Sequence, residues 1–253
     1  MNLTYKVHPI KTRYQGWTNY CYIIEDIVSR SAIVVDPSWE LSKITTTLSE
    51  LEAELKAVAL THSHYDHVNL VDPLTKMFNA QVYMSKKEID YYQFRCRNLI
   101  SLDDHQTISI GNTRAQCLLT PGHTAGGMCY LFSESIFTGD TVFTEGCGIC
   151  EDDGSSAEEM FDSIQRIKSE VSPHVRVYPG LFSYDLLYLL ILYSSMEKSR
   201  KTIEQTVGKI NLTDNIYRGY HQHEHATIYP VITIIKSYRS ETHLLIGRVA
   251  LRE

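Results

Sequence analysis

The chain has 253 residues, 43% of them hydrophobic, and a formal net charge of −6 at pH 7. This length is sufficient for one sizeable domain with a good core, or for one domain and an extension. The chain is mildly acidic and has no long basic run, so its overall charge gives no reason to expect nucleic acid binding. The first residues lack the apolar stretch of a secretory signal. The apolar run at residues 186–193 is far shorter than the roughly twenty residues that span a bilayer. We therefore expect a cytoplasmic protein that binds neither nucleic acid nor a membrane.

The pattern of apolar residues predicts an α/β protein. Runs rich in Ile, Val and Tyr predict strands, and apolar positions that recur every three or four residues predict helices. In chain order these are strands at 5–10, 19–25 and 31–36, a helix at 41–51, a strand at 57–61, a helix at 68–78, strands at 81–85, 107–110, 113–119, 127–132 and 135–138, and a helix at 156–171. The last helix is predicted most clearly, because Ser156 can cap it with Glu159 three residues later. We find no linker before Gly180 and expect residues 1–180 to form one domain.

Three histidines and one aspartate lie within six consecutive positions of the segment THSHYDH, residues 61–67. Imidazole nitrogen and carboxylate oxygen are ligands of catalytic zinc. Packing does not readily explain this density, since His and Asp are mostly exposed or paired. A polar, His-rich surface loop is the alternative. The segment follows a predicted buried strand, a position where rigid scaffolds often carry their chemistry.

Two further candidate ligands follow strands later in the chain. His123 comes after an apolar run and a Pro-Gly turn, and Asp140 comes after a second run and a glycine. Either residue alone would be a weak signal, but together with residues 61–67 they indicate a metal centre. The expected ligands are His62, His64 and His123 for a first ion, Asp66 and His67 for a second, and Asp140 as a bridge between the two.

The motifs THSHYDH at 61–67, TPGHTAGG at 120–127 and FTGDTVF at 137–143 resemble those of the metallo-β-lactamase-fold hydrolases. Among these, the chain is most similar to the glyoxalase II type and to the zinc-dependent hydrolases of polyketide synthase gene clusters in bacilli. The resemblance extends from about residue 4 to about residue 180. It implies an α/β fold, the four-layer αββα sandwich, and the same six metal ligands. It also implies that Asp66 has a catalytic role, orienting the attacking water as well as binding metal.

The chain departs from this family after the turn Tyr178-Pro179-Gly180. The family has a metal-binding histidine next, where this chain has Leu181. We therefore expect one firmly bound Zn²⁺ and a weakened second site. Residues 181–253 are also unlike the family, which indicates a frameshift, a fusion or a divergent extension. His221, His223 and His225 alternate in this extension and could replace the missing ligand, although short His-rich tracts indicate metal binding by composition only.

The ligand set predicts hydrolysis of an acyl thioester. Zinc held by three protein nitrogens keeps a position open for water and lowers the pKa of that water to about 7. A thiol with a pKa of about 8.5 leaves as a thiolate without a proton donor, whereas an amine needs one. The resemblance implies a thioester of glutathione, coenzyme A or a carrier protein. A basic glutathione-binding segment is not recognisable, which favours a carrier-protein thioester or another thioester.

Two other functions remain open. An iron-dependent sulfur dioxygenase of the same fold would need one iron held by His62, His123 and Asp140, a facial triad with open positions. A non-catalytic, degenerate protein is the third possibility, because Leu181 and the altered extension interrupt the family pattern.

The six cysteines favour a reduced, cytosolic protein. Cys147 and Cys150 have the spacing of a redox or zinc pair, but no second such pair is present. In the resembling family this segment is a glycine-rich loop near the site, so we expect a structural role for both.

Overall fold

The computed structural model describes residues 3–15, 17–143 and 146–180. Within these ranges the chain forms two β-sheets and five α-helices. The expected extension, residues 181–253, lies outside the described residues. Among the described residues, no helix has the length and apolar character needed to cross a membrane.

The first sheet has six strands, which follow one another in chain order. They are β1 (Tyr5–Tyr14), β2 (Trp17–Asp26), β3 (Ser31–Val35), β4 (Glu54–Ala59), β5 (Gln81–Ser85) and β6 (Leu99–Leu102). Strands β1 to β3 pair antiparallel, and β3 to β6 pair parallel. Parallel neighbours need crossover connections, which here contain helices. These helices are α1 (Leu41–Glu50), α2 (Tyr65–Val68), α3 (Val71–Phe78) and α4 (Lys86–Tyr92).

The second sheet has five strands in the order β11-β10-β9-β8-β7. They are β7 (Thr107–Ile110), β8 (Thr113–Leu119), β9 (Met128–Leu131), β10 (Ser135–Gly139) and β11 (Arg176–Pro179). All neighbours pair antiparallel except β10 and β11, which are parallel. Helix α5 (Ala157–Glu170) provides the crossover between these two strands.

Alternate side chains of a strand pack into different cores, one between the two sheets and one between a sheet and its helices, so the protein has four layers. On β3, Ile33 and Val35 contribute to the core between the two sheets, whereas Ala32 and Val34 contribute to the core beneath α1, α3 and α4. Successive strand side chains point to opposite faces, so a sheet covered on both faces is apolar at every position. Helix α5 covers the outer face of the second sheet through Met160 and its neighbours. The predicted αββα sandwich is therefore confirmed.

The predicted strands and helices agree with the structure in type, with several differences in extent. Ser156 caps α5 as predicted and accepts a hydrogen bond from the backbone N–H of Glu159 (3.2 Å). The helix predicted at 68–78 corresponds to α3, but its predicted start is wrong: α3 begins at Val71, and Val68 is the last residue of the short helix α2. The strand predicted at 57–61 ends at Ala59, which leaves Leu60 and Thr61 in the loop.

Four elements were not predicted from the sequence: α2, α4, β6 and β11. Helix α4 begins directly after β5, where Ser85 ends the strand and accepts a hydrogen bond from the N–H of Glu88 (3.0 Å). No turn residues separate strand from helix, and the one sequence signal of the boundary is the capping pattern of Ser85 with Glu88 three residues later, which was missed. Strands β6 and β11, with the sequences LISL and RVYP, have four residues each that do not alternate between apolar and polar.

Candidate metal centre

Loops that follow β4, β8 and β10 meet at one edge of the two sheets. The loop after β4 carries residues 61–67, the loop after β8 carries His123, and the turn after β10 carries Asp140. Four imidazole rings lie together there. Their centroids are separated by 4.7 Å for His62 and His64, 4.2 Å for His62 and His67, 5.0 Å for His62 and His123, and 4.6 Å for His64 and His123.

Hydrogen bonds hold the Nδ1 atom of His62 and of His123, and so direct the Nε2 atoms inward. The hydroxyl of Thr61 donates to Asp36 (2.6 Å), so it accepts from His62 Nδ1 (3.0 Å). His123 Nδ1 donates to the carbonyl oxygen of Ile149 (2.6 Å). A neutral imidazole that donates through one nitrogen has a lone pair on the other. Each of these Nε2 atoms is therefore available as a ligand.

His62, His64 and His123 can each offer one nitrogen to a shared ion, with these nitrogens within 4.8 Å of one another. His123 Nε2 lies 2.9 Å from His64 Nδ1. The first predicted ligand set is therefore brought together by the fold.

Asp140 lies between the two predicted metal positions. Its Oδ2 is 3.4 Å from His123 Nε2, and its Oδ1 is 3.3 Å from His67 Nε2. On the far side, Asp66 Oδ2 is 3.6 Å from the same His67 nitrogen. The carboxylate thus faces one ligand of each set, the arrangement that a bridging role requires.

Three buried atoms at this point make no hydrogen bond: His62 Nε2, His67 Nε2 and Asp140 Oδ1. A buried polar atom without a hydrogen bond costs about 1–3 kcal/mol, so each such atom calls for an explanation. His67 Nε2 lies 3.3 Å from Asp140 Oδ1, the His62 and His67 rings lie 4.2 Å apart, and all three atoms are zinc-ligand atom types. The residues present therefore fit a metal.

The electrostatics of the rings agree with this fit. Burial lowers the pKa of His62 well below its ordinary value, and burial together with the neighbouring His123 lowers the pKa of His64. Both rings are therefore neutral near pH 7, the form that binds metal. Burial also acts to lower the pKa of His67, but Asp140 and Asp36 raise it well above its ordinary value. The two carboxylates thus favour positive charge at this ring.

Asp36 fixes the direction of His67 and was not predicted from the sequence. Its Oδ1 accepts from the N–H of Thr61 (2.8 Å), and its Oδ2 accepts from His67 Nδ1 (3.0 Å). One Asp36 oxygen also lies within 4.8 Å of ligand atoms of His62 and His67. Because both Asp36 oxygens already accept hydrogen bonds, we assign Asp36 to orienting His67, as carboxylates beside metal-binding histidines commonly do. Its position at the end of β3 is the signal that could have identified it.

Glu88 joins the two ligand-bearing loops. It is completely buried, and its Oε1 accepts from the N–H (2.8 Å) and the hydroxyl (2.7 Å) of Ser63. Its Oε2 accepts from the N–H of Gly126 (2.9 Å), three residues after His123. A Cβ atom at Gly126 would lie 2.1 Å from the backbone nitrogen of Glu88, so only glycine allows this approach. This contact was not predicted, because helix α4 was missed and no spacing relates Glu88 to the two loops that it contacts.

The turn Tyr178-Pro179-Gly180, which precedes the position where the family has a further histidine, lies against the candidate metal centre. A Cβ atom at Gly180 would lie 2.8 Å from His67 Cε1 and 2.9 Å from Asp140 Oδ1. The N–H of Gly180 donates to the carbonyl of Gly139 (2.9 Å), which holds the turn beside Asp140. Leu181, the next residue, lies outside the described residues, as do His221, His223 and His225.

The Cys147–Cys150 segment contacts the centre through its backbone. A Cβ atom at Gly148 would lie 2.7 Å from the His123 ring, and the carbonyl of Ile149 accepts from that ring. Cys147 and Cys150 are free and pack against the core beneath α5. Burial raises the pKa of Cys147 to about 11 and that of Cys150 to about 12, which makes both thiols poor nucleophiles. This agrees with the structural role predicted for them.

Comparisons with known proteins agree with this geometry. The model of the metallo-beta-lactamase superfamily matches residues 15–172. A probable polyketide biosynthesis zinc-dependent hydrolase, BaeB, from Bacillus velezensis is 65% identical over 180 residues, which cover 71% of this chain and 80% of that protein. A hydroxyacylglutathione hydrolase from Psychromonas ingrahamii is 34% identical over 151 residues, 59% of this chain and 56% of that protein. The solved structure of ETHE1 from Myxococcus xanthus superposes with a TM-score of 0.63 at 26% identity and covers 70% of this chain and 77% of that one.

The family model covers more than half of the chain, and the described fold has the layers that the family implies. The named relatives BaeB and hydroxyacylglutathione hydrolase are hydrolases, which confirms the prediction of a metal-dependent hydrolase. The chain belongs to the metallo-β-lactamase superfamily.

Proposed function

We propose that this protein is a zinc-dependent hydrolase that cleaves an acyl thioester in polyketide biosynthesis. The observation that carries the proposal is the convergence, at the edge of the sheets, of buried Nε2 and carboxylate atoms that make no hydrogen bond. The names of the relatives from Bacillus velezensis and Psychromonas ingrahamii support the metal, the pathway and the hydrolytic reaction.

The proposed ligands are those predicted from the sequence. His62, His64 and His123 would hold the first zinc, Asp66 and His67 would hold the second, and Asp140 would serve both. The 2.9 Å approach of the His64 and His123 nitrogens supports the first set. The second set lacks a histidine at position 181, so we propose one firmly bound zinc and a weaker second one.

When bound, zinc supplies a water of lowered pKa and a Lewis acid for the substrate carbonyl. The protein supplies orientation. Asp66 is one-third exposed and faces His67 Nε2 at 3.6 Å, so its carboxylate is placed to accept a hydrogen bond from the attacking water. Asp36 and Thr61 hold the His67 and His62 rings in position, so the centre needs little rearrangement when substrate arrives.

The leaving group favours a thioester over an amide. All the matched positions are assigned to metal, which leaves none as a dedicated proton donor for an amine. A thiolate with a conjugate acid of pKa about 8.5 needs no donor. We propose a carrier-protein or coenzyme A thioester, and a glutathione thioester as the next candidate.

The alternative of an iron-dependent sulfur dioxygenase needs only His62, His123 and Asp140. The structure also brings His64 within 2.9 Å of His123 and directs His67 Nε2 toward Asp140. These additional nitrogens favour the larger ligand set of a zinc hydrolase.

The experiment that tests the proposal measures thiol release from simple acyl thioesters. We expect hydrolysis that is lost on chelation and restored by adding zinc, because the attacking water depends on the metal. The same assay is repeated with iron and oxygen, with a glutathione persulfide as substrate and oxygen uptake recorded. Thiol release that is unaffected by the chelator, or oxygen uptake with iron in place of hydrolysis, would overturn the proposal.

We also propose that residues 1–180 form the complete hydrolase domain and that residues 181–253 form a separate extension. Both sheets and the surrounding helices are present within the described residues up to 180, which supports this division. The three proposed ligands of the first zinc all lie within residues 1–180.

A further inference from the structure

Asn19, on β2, contacts the metal centre without being one of its proposed ligands. The side chain is 1% exposed, and its Nδ2 donates to Asp66 Oδ2 (3.0 Å) and to the backbone carbonyl of Asp66 (3.2 Å). Its Oδ1 accepts from Trp39 Nε1 (3.1 Å). Every polar atom of this amide is therefore used, and its NH₂ group is directed at Asp66.

The contact with Trp39 determines which way the amide faces. An amide oxygen and nitrogen are hard to distinguish by shape, and the assignment depends on the partners. An indole N–H can only donate, so the atom of Asn19 opposite it must be the oxygen. The NH₂ group then necessarily faces the Asp66 carboxylate.

Trp39 is itself held tightly. Its ring stacks on Tyr14 with centroids 4.6 Å apart and an interplanar angle of 9°, and it meets the Tyr65 ring edge-on at 5.8 Å. The backbone N–H of Trp39 donates to Asn69 Oδ1 (2.8 Å). The backbone of Trp39 has a φ of 62°, a left-handed conformation that costs about 1–3 kcal/mol in a residue other than glycine and persists where its surroundings enforce it.

A neutral donor suits this position better than a charged one. Asp66 is one-third exposed, so without a partner its carboxylate is free to rotate toward solvent. A lysine or arginine would hold it but would also neutralise the charge that attracts a cation. The amide of Asn19 fixes the carboxylate and leaves its negative charge intact.

We propose that Asn19 is a positioning residue for Asp66 and that Trp39 sets the direction of the Asn19 amide. This inference rests on the proposed function. In it, the hydrogen bonds from Trp39 to Asn19 and from Asn19 to Asp66 orient the Asp66 carboxylate toward the second metal position and the attacking water. Partners of this kind are typically worth ten- to a hundredfold in metal affinity or activity.

The test compares Asn19→Ala, Trp39→Phe and the double variant with the wild type. Trp39→Phe removes the N–H but keeps a ring between Tyr14 and Tyr65. Thr12→Val is the matched control, because Thr12 is buried opposite Asn19 on β1, and its hydroxyl bonds to the backbone carbonyl of Asn19 (3.3 Å) and to the hydroxyl of Ser38, with no side-chain hydrogen bond to Asn19 or Asp66 among the described residues. Zinc affinity is measured by competition with a chromophoric chelator, kcat and KM by thiol release, and folding by thermal unfolding of the metal-free proteins.

We expect Asn19→Ala to weaken binding of the second zinc and lower kcat by about ten- to a hundredfold, with little change in KM and with the first zinc still firmly bound. Trp39→Phe should change both in the same direction by less. The double variant should be no worse than Asn19→Ala, because the two residues act in series. Thr12→Val should keep the wild-type zinc affinity and kcat even where it lowers the unfolding temperature.

Wild-type zinc affinity and kcat in Asn19→Ala would overturn the inference, and so would strictly additive effects of the two substitutions. A loss of zinc affinity and kcat in Thr12→Val equal to that in Asn19→Ala would also overturn it, since the effect would then be a general disturbance of β2. A wild type that binds no zinc would contradict both the proposed function and this inference, whereas a second zinc bound with equal affinity by wild type and Asn19→Ala would contradict the inference alone.

Discussion

His64→Ala is expected to reduce thioester hydrolysis by at least about a hundredfold and to remove most of the bound zinc. His64 is one of three proposed nitrogens of the first ion, and its Nδ1 lies 2.9 Å from His123 Nε2. Residues that only support a ligand are already worth ten- to a hundredfold, so loss of a ligand should cost at least as much. The measurement is thiol release together with zinc content after gentle purification.

The control for this prediction is His174→Ala. His174 has a side chain that is 59% exposed, and it contacts Ser172 and Glu134, away from the centre. It should retain the wild-type rate and zinc content. If His64→Ala keeps both as well, the three-nitrogen site is not where hydrolysis occurs.

Leu181→His is expected to raise the affinity for the second zinc and the rate of thioester hydrolysis, each by about ten- to a hundredfold. Position 181 follows Gly180, whose added Cβ would lie 2.8 Å from His67 and 2.9 Å from Asp140. Gly180 therefore lies at the edge of the proposed second metal position, and an imidazole would be introduced at the residue directly after it. The measurement is a zinc titration of both proteins, followed by thiol release at saturating zinc.

Leu181→Phe is the matched control, because it introduces a ring of similar shape without a nitrogen, and it should leave the second zinc as weak as in the wild type. Equal zinc stoichiometry and equal rates for Leu181→His and wild type would contradict the prediction. Triple replacement of His221, His223 and His225 by alanine then distinguishes two causes: a loss of zinc would show that these histidines already fill the position.

The residues of the candidate metal centre were predictable because their spacing is local. Residues 61–67 carry four of them, and His123 and Asp140 each follow a strand and a glycine. Strands β8 and β10 both pair antiparallel with β9, so their carboxyl ends lie at one edge of the second sheet, where the loop after β4 of the first sheet also lies. The structure confirms that these residues meet, and their role as ligands stays a prediction.

The residues that orient the ligands were not predictable from the sequence. Asp36, Glu88 and Asn19 are single polar residues on three different elements, and no spacing relates them to the residues they contact. Their role depends on tertiary contacts, such as Glu88 joining two loops. A buried Glu and an exposed Glu look alike in a sequence until the packing of their helix is known.

Metal analysis of the purified wild-type protein tests the central claim most directly. The account predicts zinc as the main metal, with one ion bound firmly per chain and clearly fewer than two in total, because the first ligand set is complete and the second lacks a ligand at position 181. Iron as the main metal, or no metal after gentle purification, would contradict it.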